Sequence, residues 1–368
     1  MSSQTFFYDT TAKHIHNIKM LYFHCRMKKS IGLFFLIIPN ALVAQNLGGN
    51  TVFNFLSQPN TAQVSALGGI NISNISKDVG MVFQNPALLR TEMHQQINTS
   101  FNSFFAGIKN YSLTTALYSE KANMNIALGI NYFNYGSTTQ TDASGNIYGE
   151  FKPNDYVVQL TASKKYLEKW WYGATLKFAS SNYGIYKSNG IGMDLGVTYY
   201  DSSKFFQASI VFKNIGTQLK TYDGAGKEQL PFDLQIGITK RLLKAPLQFS
   251  LTAHHLQAFN IYYNDTTFNA SQGDDSYLNN KFTLQKIFSH LIFATQVFID
   301  EKLEATIGYN FLRRYDLNAY NVANGLNGFT LGAGILLKKL HIRYATGFYQ
   351  KNMFHQFSLN FNWKGDGL

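Results

Sequence analysis

Gln356-Phe357-Ser358-Leu359-Asn360-Phe361-Asn362-Trp363 is the stretch that decides the fold class. Its apolar side chains fall on the odd positions and its polar ones on the even positions. Successive side chains of a strand point to opposite faces, so this segment reads as a strand with one apolar and one polar face. The same division recurs upstream. Met124, Ile126, Leu128, Ile130 and Tyr132 share a face, and Ile191, Met193, Leu195, Val197 and Tyr199 alternate with Gly192, Asp194, Gly196 and Thr198. Leu247, Phe249, Leu251 and Ala253 alternate with Gln248, Ser250, Thr252 and His254. Fourteen such segments follow one another, near 95–106, 109–118, 123–134, 154–165, 171–181, 188–200, 205–215, 232–243, 247–257, 287–299, 303–314, 328–338, 340–349 and 355–363.

A soluble sandwich alternates too, and the connections separate water from lipid. Every second connection is short: Ser119 to Ala122, Tyr166 to Trp170, Asp201 to Lys204, Lys244 to Pro246, Asp300 to Lys302, and Lys339. Several of the others are long: Tyr135 to Pro153, Gly216 to Pro231, Ala258 to Lys286, and Tyr315 to Asn327. Tight turns at one end and long loops at the other, with an even strand count, are the pattern of an outer-membrane barrel. A tilted strand needs about 9–11 residues to cross the hydrocarbon, which these segments supply. Closure also pairs every backbone group, and in lipid an open sheet edge would cost several kcal/mol per unpaired group. The fold expected is all-β: a 14-stranded antiparallel transmembrane barrel. Tyr132, Trp170, Trp171, Tyr199, Tyr200, Tyr344 and Trp363 stand near strand ends, where an interfacial aromatic belt would sit.

Composition agrees. Among 368 residues, 45% are hydrophobic and 15% aromatic, with only 14% charged, and no apolar run reaches the length of a membrane helix. The net charge of +11 is spread over single basic residues rather than blocks, which argues against a nucleic-acid partner. Met27-Lys28-Lys29, the apolar run Ile31 to Ile38, Pro39 and Ala41-Leu42-Val43-Ala44 read as a signal peptide cut after Ala44, with translation starting at Met27 and residues 1–26 an upstream extension. Removing 1–44 takes five Lys/Arg and one Asp, so 27 basic residues face 20 acidic ones, a net +7. The single cysteine, Cys25, precedes that cut, so the exported chain has no disulfide and no acylated cysteine.

The face assigned to the lumen is small. Gly129, Gly173, Gly192, Gly196, Gly237, Gly308, Gly332, Gly334 and Gly347 share its parity, which leaves room for another backbone to approach. The expected filler is residues 45–94, a plug of short helices and turns between the leader and the barrel at 95–368. Asn85 reads as a helix cap with Pro86 at the first helical position, and Gly68-Gly69 as a tight turn or close approach. Lys177, Asp194, Lys213 and Arg343 fall on the lumen parity. They read first as solvated lumen charges, the alternative being pairs with one another or with the plug.

The plug region also carries a resemblance. Gly48-Gly49-Asn50-Thr51-Val52-Phe53-Asn54-Phe55-Leu56, Ala62 to Val64, Ala66-Leu67-Gly68-Gly69, Val82-Phe83-Gln84-Asn85-Pro86-Ala87-Leu88-Leu89 and Met93-His94 resemble the N-terminal region of the PorQ family, outer-membrane proteins of the type IX secretion system. More broadly, Ala-Leu-Gly-Gly followed by Asn-Pro-Ala is similar to the plug of FadL-type fourteen-stranded barrels, a group that includes PorV and transporters of hydrophobic solutes. The specific motifs lie at about 47–94, with Gly68, Gly69, Asn85, Pro86 and Ala87 at their centre.

The resemblance implies a non-enzymatic anchor for a PorZ-like surface protein, in an attachment complex with PorU-like and PorV-like components that joins cargo to lipopolysaccharide. The docking surface would then be the loops at 135–153, 216–231, 258–285 and 315–327. Lipid or lipopolysaccharide is the other partner expected, and no cofactor. The competing function is transport of hydrophobic small molecules. An open porin is disfavoured by the small inward residues and the plug.

Catalysis finds little support in the residues. The mature histidines are His94, His254, His255, His290, His341 and His355, each read as structural or interfacial. His254 and His255 are neighbours on one strand, so they are expected to face apart and not to share a metal ion. No carboxylate pair is expected in the lumen, and no Gly-x-Ser-x-Gly, His-Glu-x-x-His or phosphate loop occurs in the mature chain. Tyr222 to Gly226 reads as a turn, and Gly273-Asp274-Asp275 as a flexible loop with too few oxygens for calcium.

Overall fold

Alternation becomes a closed sheet in the computed structural model, which describes residues 51–142, 144–259, 261, 283–317 and 324–363. The strands are β1 (Gln96–Ser103), β2 (Lys109–Ser119), β3 (Met124–Asn134), β4 (Thr138–Thr141), β5 (Ile147–Phe151), β6 (Asn154–Tyr166), β7 (Trp170–Tyr183) and β8 (Tyr186–Asp201). They continue with β9 (Phe206–Lys220), β10 (Asp233–Arg241), β11 (Leu247–Ala253), β12 (Leu291–Ile299), β13 (Leu303–Asn310), β14 (Phe329–Leu336), β15 (Leu340–Tyr349) and β16 (Asn352–Asn362). All but β4 and β5 form one antiparallel barrel of fourteen strands. Its seam joins the first strand to the last, from Gln96 opposite Asn362 to Ser103 opposite His355.

Burial is inverted relative to a soluble protein. On β16 the apolar Phe357, Leu359 and Phe361 are 51%, 42% and 44% exposed, whereas Gln356, Ser358 and Asn360 are 0%, 2% and 4% exposed. The polar stripe faces inward and the apolar stripe outward on β2, β3, β10 and β11 as well. A surface of Leu, Ile and Phe on this scale is stable against acyl chains and unstable against water.

Each of the fourteen segments expected from alternation corresponds to a barrel strand, with differences at the ends. The 135–153 connection is no plain loop, because β4 and β5 pair within it as a hairpin outside the barrel. β9 runs on to Lys220, so the next connection is shorter than expected. The segment near 287 opens as a helix, Leu284–Ser289, before β12, and the one near 303 ends in a helix, Phe311–Asp316. The leader, the start at Met27, the cut after Ala44, Cys25, Gly48 to Asn50, most of the 258–285 loop and part of 315–327 lie outside the described residues.

One irregularity shapes the lumen. In β9, Lys213 and Asn214 together oppose Asp194 of β8, a bulge with Asn214 in the left-handed region at φ 56°. The bulge turns two consecutive side chains inward, and both are buried.

Candidate functional site

The interior is filled by the chain's own leading segment. From Pro59 to Arg90 nearly every residue is buried, with Lys77 the exposed exception. The segment begins under the long loops, where Thr51 bridges Gln229, and ends at the short turns, where His94 Nδ1 accepts from Tyr118 N at 2.9 Å. In between it makes one turn of α-helix, Ala62–Ala66, and short 3-10 turns at Asn54–Ser57, Val79–Phe83, Pro86–Leu88 and Thr91–Met93.

Three of these turns are capped by the side chain just before them. Thr61 accepts from Val64 N at 3.3 Å, Asp78 from Gly80 N at 2.8 Å and Asn85 from Ala87 N at 2.8 Å, with Pro86 where no N–H is needed. Asn85 also ties the plug to the wall, donating to Thr198 Oγ1 at 3.0 Å. Gly68 and Gly69 both sit at positive φ, 91° and 95°, and a side chain on Gly68 would collide with Ile292 of β12. Gly173 on β7 is required for a different reason: any Cβ there would strike the backbone of Pro86 and Ala87.

Hydrogen bonds fix the plug around the circumference. Ala62 N donates to Ser358 of β16 at 2.7 Å, Thr330 of β14 donates to Ala66 O at 2.9 Å, and Asn310 of β13 donates to Gly68 O at 3.1 Å. On the other side Ser112 of β2 donates to Asn60 O at 2.8 Å, and Ser163 of β6 to Leu89 O at 2.8 Å. Each satisfies a plug backbone group that has lost water.

The four lumen charges are not solvated, contrary to the first reading of them. Lys177, Asp194, Lys213 and Arg343 are all buried and partnered. Lys177 Nζ meets Asp194 Oδ2 at 2.6 Å and donates to Asn214 Oδ1 at 2.9 Å, while Asp194 Oδ1 accepts from Asn214 N at 2.8 Å. The bulge in β9 is what brings Asn214 into that network. Lys213 donates to Phe83 O of the plug at 3.1 Å. Arg343 is held between two carboxylates, Asp78 of the plug and Glu304 of β13, each at 2.5 Å. The expectation of no carboxylate pair therefore fails here. Asp78 lies 265 positions from Arg343, so nothing local in the sequence joins them.

Two aromatics expected in the outer belt face inward instead. Trp171 and Tyr200 are neighbours of Arg90, whose guanidinium lies 4.2 Å from the Tyr200 ring centroid and 5.7 Å from that of Trp171. Arg90 also donates to Gln207. Tyr132, Trp170 and Trp363 are exposed on the outside, and the hydroxyl of Tyr344 is 2.7 Å from His355 Nδ1. Toward the short turns the lumen opens into a vestibule of about 810 Å³ whose lining includes Lys77, Arg90, Glu92, Arg241, Glu304 and Arg343.

The long-loop end is ordered by side chains under the loops. Phe53 and Phe55 of the plug pack with Phe83, Phe133, Val157 and Leu230, covered by Phe104, Tyr135 and Tyr222. The Tyr135 and Tyr183 hydroxyls both donate to Asp155 Oδ2, at 2.5 and 3.0 Å. Tyr222 to Gly226 forms a turn, with Ala225 N bonded to Tyr222 O at 3.0 Å. At this same end the expected separation of His254 and His255 is overturned. β11 stops at Ala253, and His255 takes a left-handed φ of 53°, which breaks the alternation and sets the two rings 4.9 Å apart, next to Asp233.

No family model matches this sequence, and no curated protein matches it. Solved structures similar to it include a TodX deltaS2S3 mutant, a monoaromatic hydrocarbon channel (13% identical, covering 82% of this chain and 99% of that one, TM-score 0.49). Others are the CymD monoaromatic hydrocarbon channel (14%, 84% and 97%, 0.46) and a FadL homologue of Pseudomonas aeruginosa (8%, 83% and 98%, 0.46). At such identities the likeness is one of barrel shape alone.

Proposed function

We propose that this chain is a sealed outer-membrane barrel that anchors a surface protein, the role that its PorQ-like plug motif implies within the type IX secretion system. The support is the plug itself. A segment tied to the wall by buried ion pairs, backbone hydrogen bonds and glycine-width contacts makes a rigid filled cylinder, suited to holding a partner and unsuited to passing solutes. The partner, a PorZ-like protein working with PorU-like and PorV-like components near lipopolysaccharide, would sit on the long loops, including the β4–β5 hairpin with its exposed Ile147 and Tyr148.

The test is co-purification from outer membranes, comparing the tagged full chain with a variant whose connections at 136–152 and 221–231 are replaced by short turns. The expected result is loss of the surface partner with unchanged heat-modifiable migration of the barrel. Retention by the shortened variant would place the anchoring surface elsewhere.

Transport of hydrophobic small molecules is a second reading, favoured by the apolar, aromatic-rich cluster under the long loops in which Phe53 and Phe55 pack. Proteoliposomes that take up a labelled fatty acid faster than protein-free vesicles would support it. Equal rates favour the anchor.

A further inference from the structure

The rim between β10 and β11 holds a cluster that neither reading above uses. Asp233 opens β10 and points inward, and His254 and His255 leave the end of β11 directly beside it. One ligand atom from each, a carboxylate oxygen and two imidazole nitrogens, lies within 4.8 Å of the others, and His255 Nδ1 is already 3.5 Å from Asp233 Oδ1. Two donors on one tetrahedral zinc ion stand about 3.4 Å apart. The three ligand atoms are therefore at most about 1.4 Å beyond that spacing.

His254 provides the independent observation. It is 1% exposed, and neither of its ring nitrogens has a hydrogen-bond partner among the described residues. A buried imidazole in that state has lost its water at both nitrogens and regained nothing, which native proteins rarely leave uncorrected. Its backbone is meanwhile fixed on both sides, since His254 N donates to His290 O at 2.9 Å and His290 Nδ1 is 2.8 Å from His254 O. Asp233 is oriented from behind by Gln235 Nε2, which donates to Oδ2 at 2.6 Å, and by His255 N, which donates to Oδ1 at 2.6 Å. Such outer hydrogen bonds aim the ligands of a metal.

We propose that Asp233, His254 and His255 bind one divalent transition-metal ion of the zinc type. Two imidazoles with one carboxylate suit zinc, cobalt, nickel or copper and not the oxygen-seeking calcium or magnesium. Asp233 supplies the negative charge among the three ligands. Three protein ligands leave a fourth position for water. The ion would clamp the chain leaving β11 onto the start of β10, at the end of the barrel that carries the long loops.

The probe is zinc chloride, titrated calorimetrically into detergent-purified full chain that carries no histidine tag and has been stripped with a chelator. One equivalent should bind, and H254Q, H255Q and D233N should each weaken it at least about 10-fold. H355Q, on the outer wall, should leave binding unchanged, and heat-modifiable migration identifies any variant that has not folded. Cobalt gives a second readout on the unaltered chain, where the intense visible absorption of tetrahedral ligation is expected. The proposal is overturned by the absence of saturable one-equivalent binding, by equal affinity in a folded H254Q/H255Q double variant, or by a cobalt spectrum no different from that of the hydrated ion.

Discussion

Arg343 ties the interior together, because it neutralises one carboxylate from the wall and one from the plug. Replacing it with Met would leave Asp78 and Glu304 buried without a cation, and removing one partner of a buried ion group typically costs about 3–5 kcal/mol. R343M should therefore lower the urea midpoint for unfolding from detergent micelles, and R343K, which keeps charge but not the two-pronged geometry, should lose less. An R343M midpoint equal to that of the parent would mean that the cluster adds nothing to stability. At this scale the sequence was only half legible. Parity correctly turned Arg343, Lys177 and Asp194 inward, but the parity rule says nothing of partners hundreds of positions away. His254 and His255 were misread for a sharper reason: alternation assumes extended backbone, and His255 leaves that region of φ.

Among the elements, the barrel strands were the most legible, because an outer face in lipid forces apolar residues onto every second position and the turns punctuate them. The β4–β5 hairpin escaped that logic. Thr138–Thr141 has no buried face and is exposed throughout, so no apolar periodicity marks it. What orders its turn is Asp142, whose carboxylate accepts from Asn146 Nδ2 at 2.9 Å, from the backbone N–H of Asn146 at 2.9 Å and of Ser144 at 2.9 Å, and from the Tyr148 hydroxyl at 3.1 Å. The bonds from Asn146 above all hold its carboxyl below the usual range. A depressed folded value means that the carboxylate supports the turn at every pH above the unfolded value and ceases to do so as pH falls through the folded one. A spin label at Ile147 should thus stay restricted through the ordinary carboxylate range and loosen only in stronger acid. D142A should be loose at all pH, and a D142A label as restricted as the parent's would remove Asp142 from the account.

For the molecule as a whole, filling the cylinder is what distinguishes this barrel from a diffusion pore. Small inward residues signalled that something enters, and the Asn85-Pro86 and Gly68-Gly69 pairs marked where it turns. The depth of its attachment was not readable, since it rests on contacts between distant positions such as Ser358 with Ala62. Deleting residues 51–94 should convert a silent protein into a conducting one in planar bilayers. A variant that folds and stays silent would mean that the remaining lumen closes by itself.

The seam carries a consequence for biogenesis. Since β1 and β16 are the first and last strands of the barrel, the wall can close only once β16 has been made, while the segment that lies within it precedes every strand. Pushing Asp78 through a finished hoop to reach Arg343 would drag a charge past a wall already occupied. Seating the stopper before β1 meets β16 would spare that passage, so fastening the hoop and burying its contents are expected to be one coupled event.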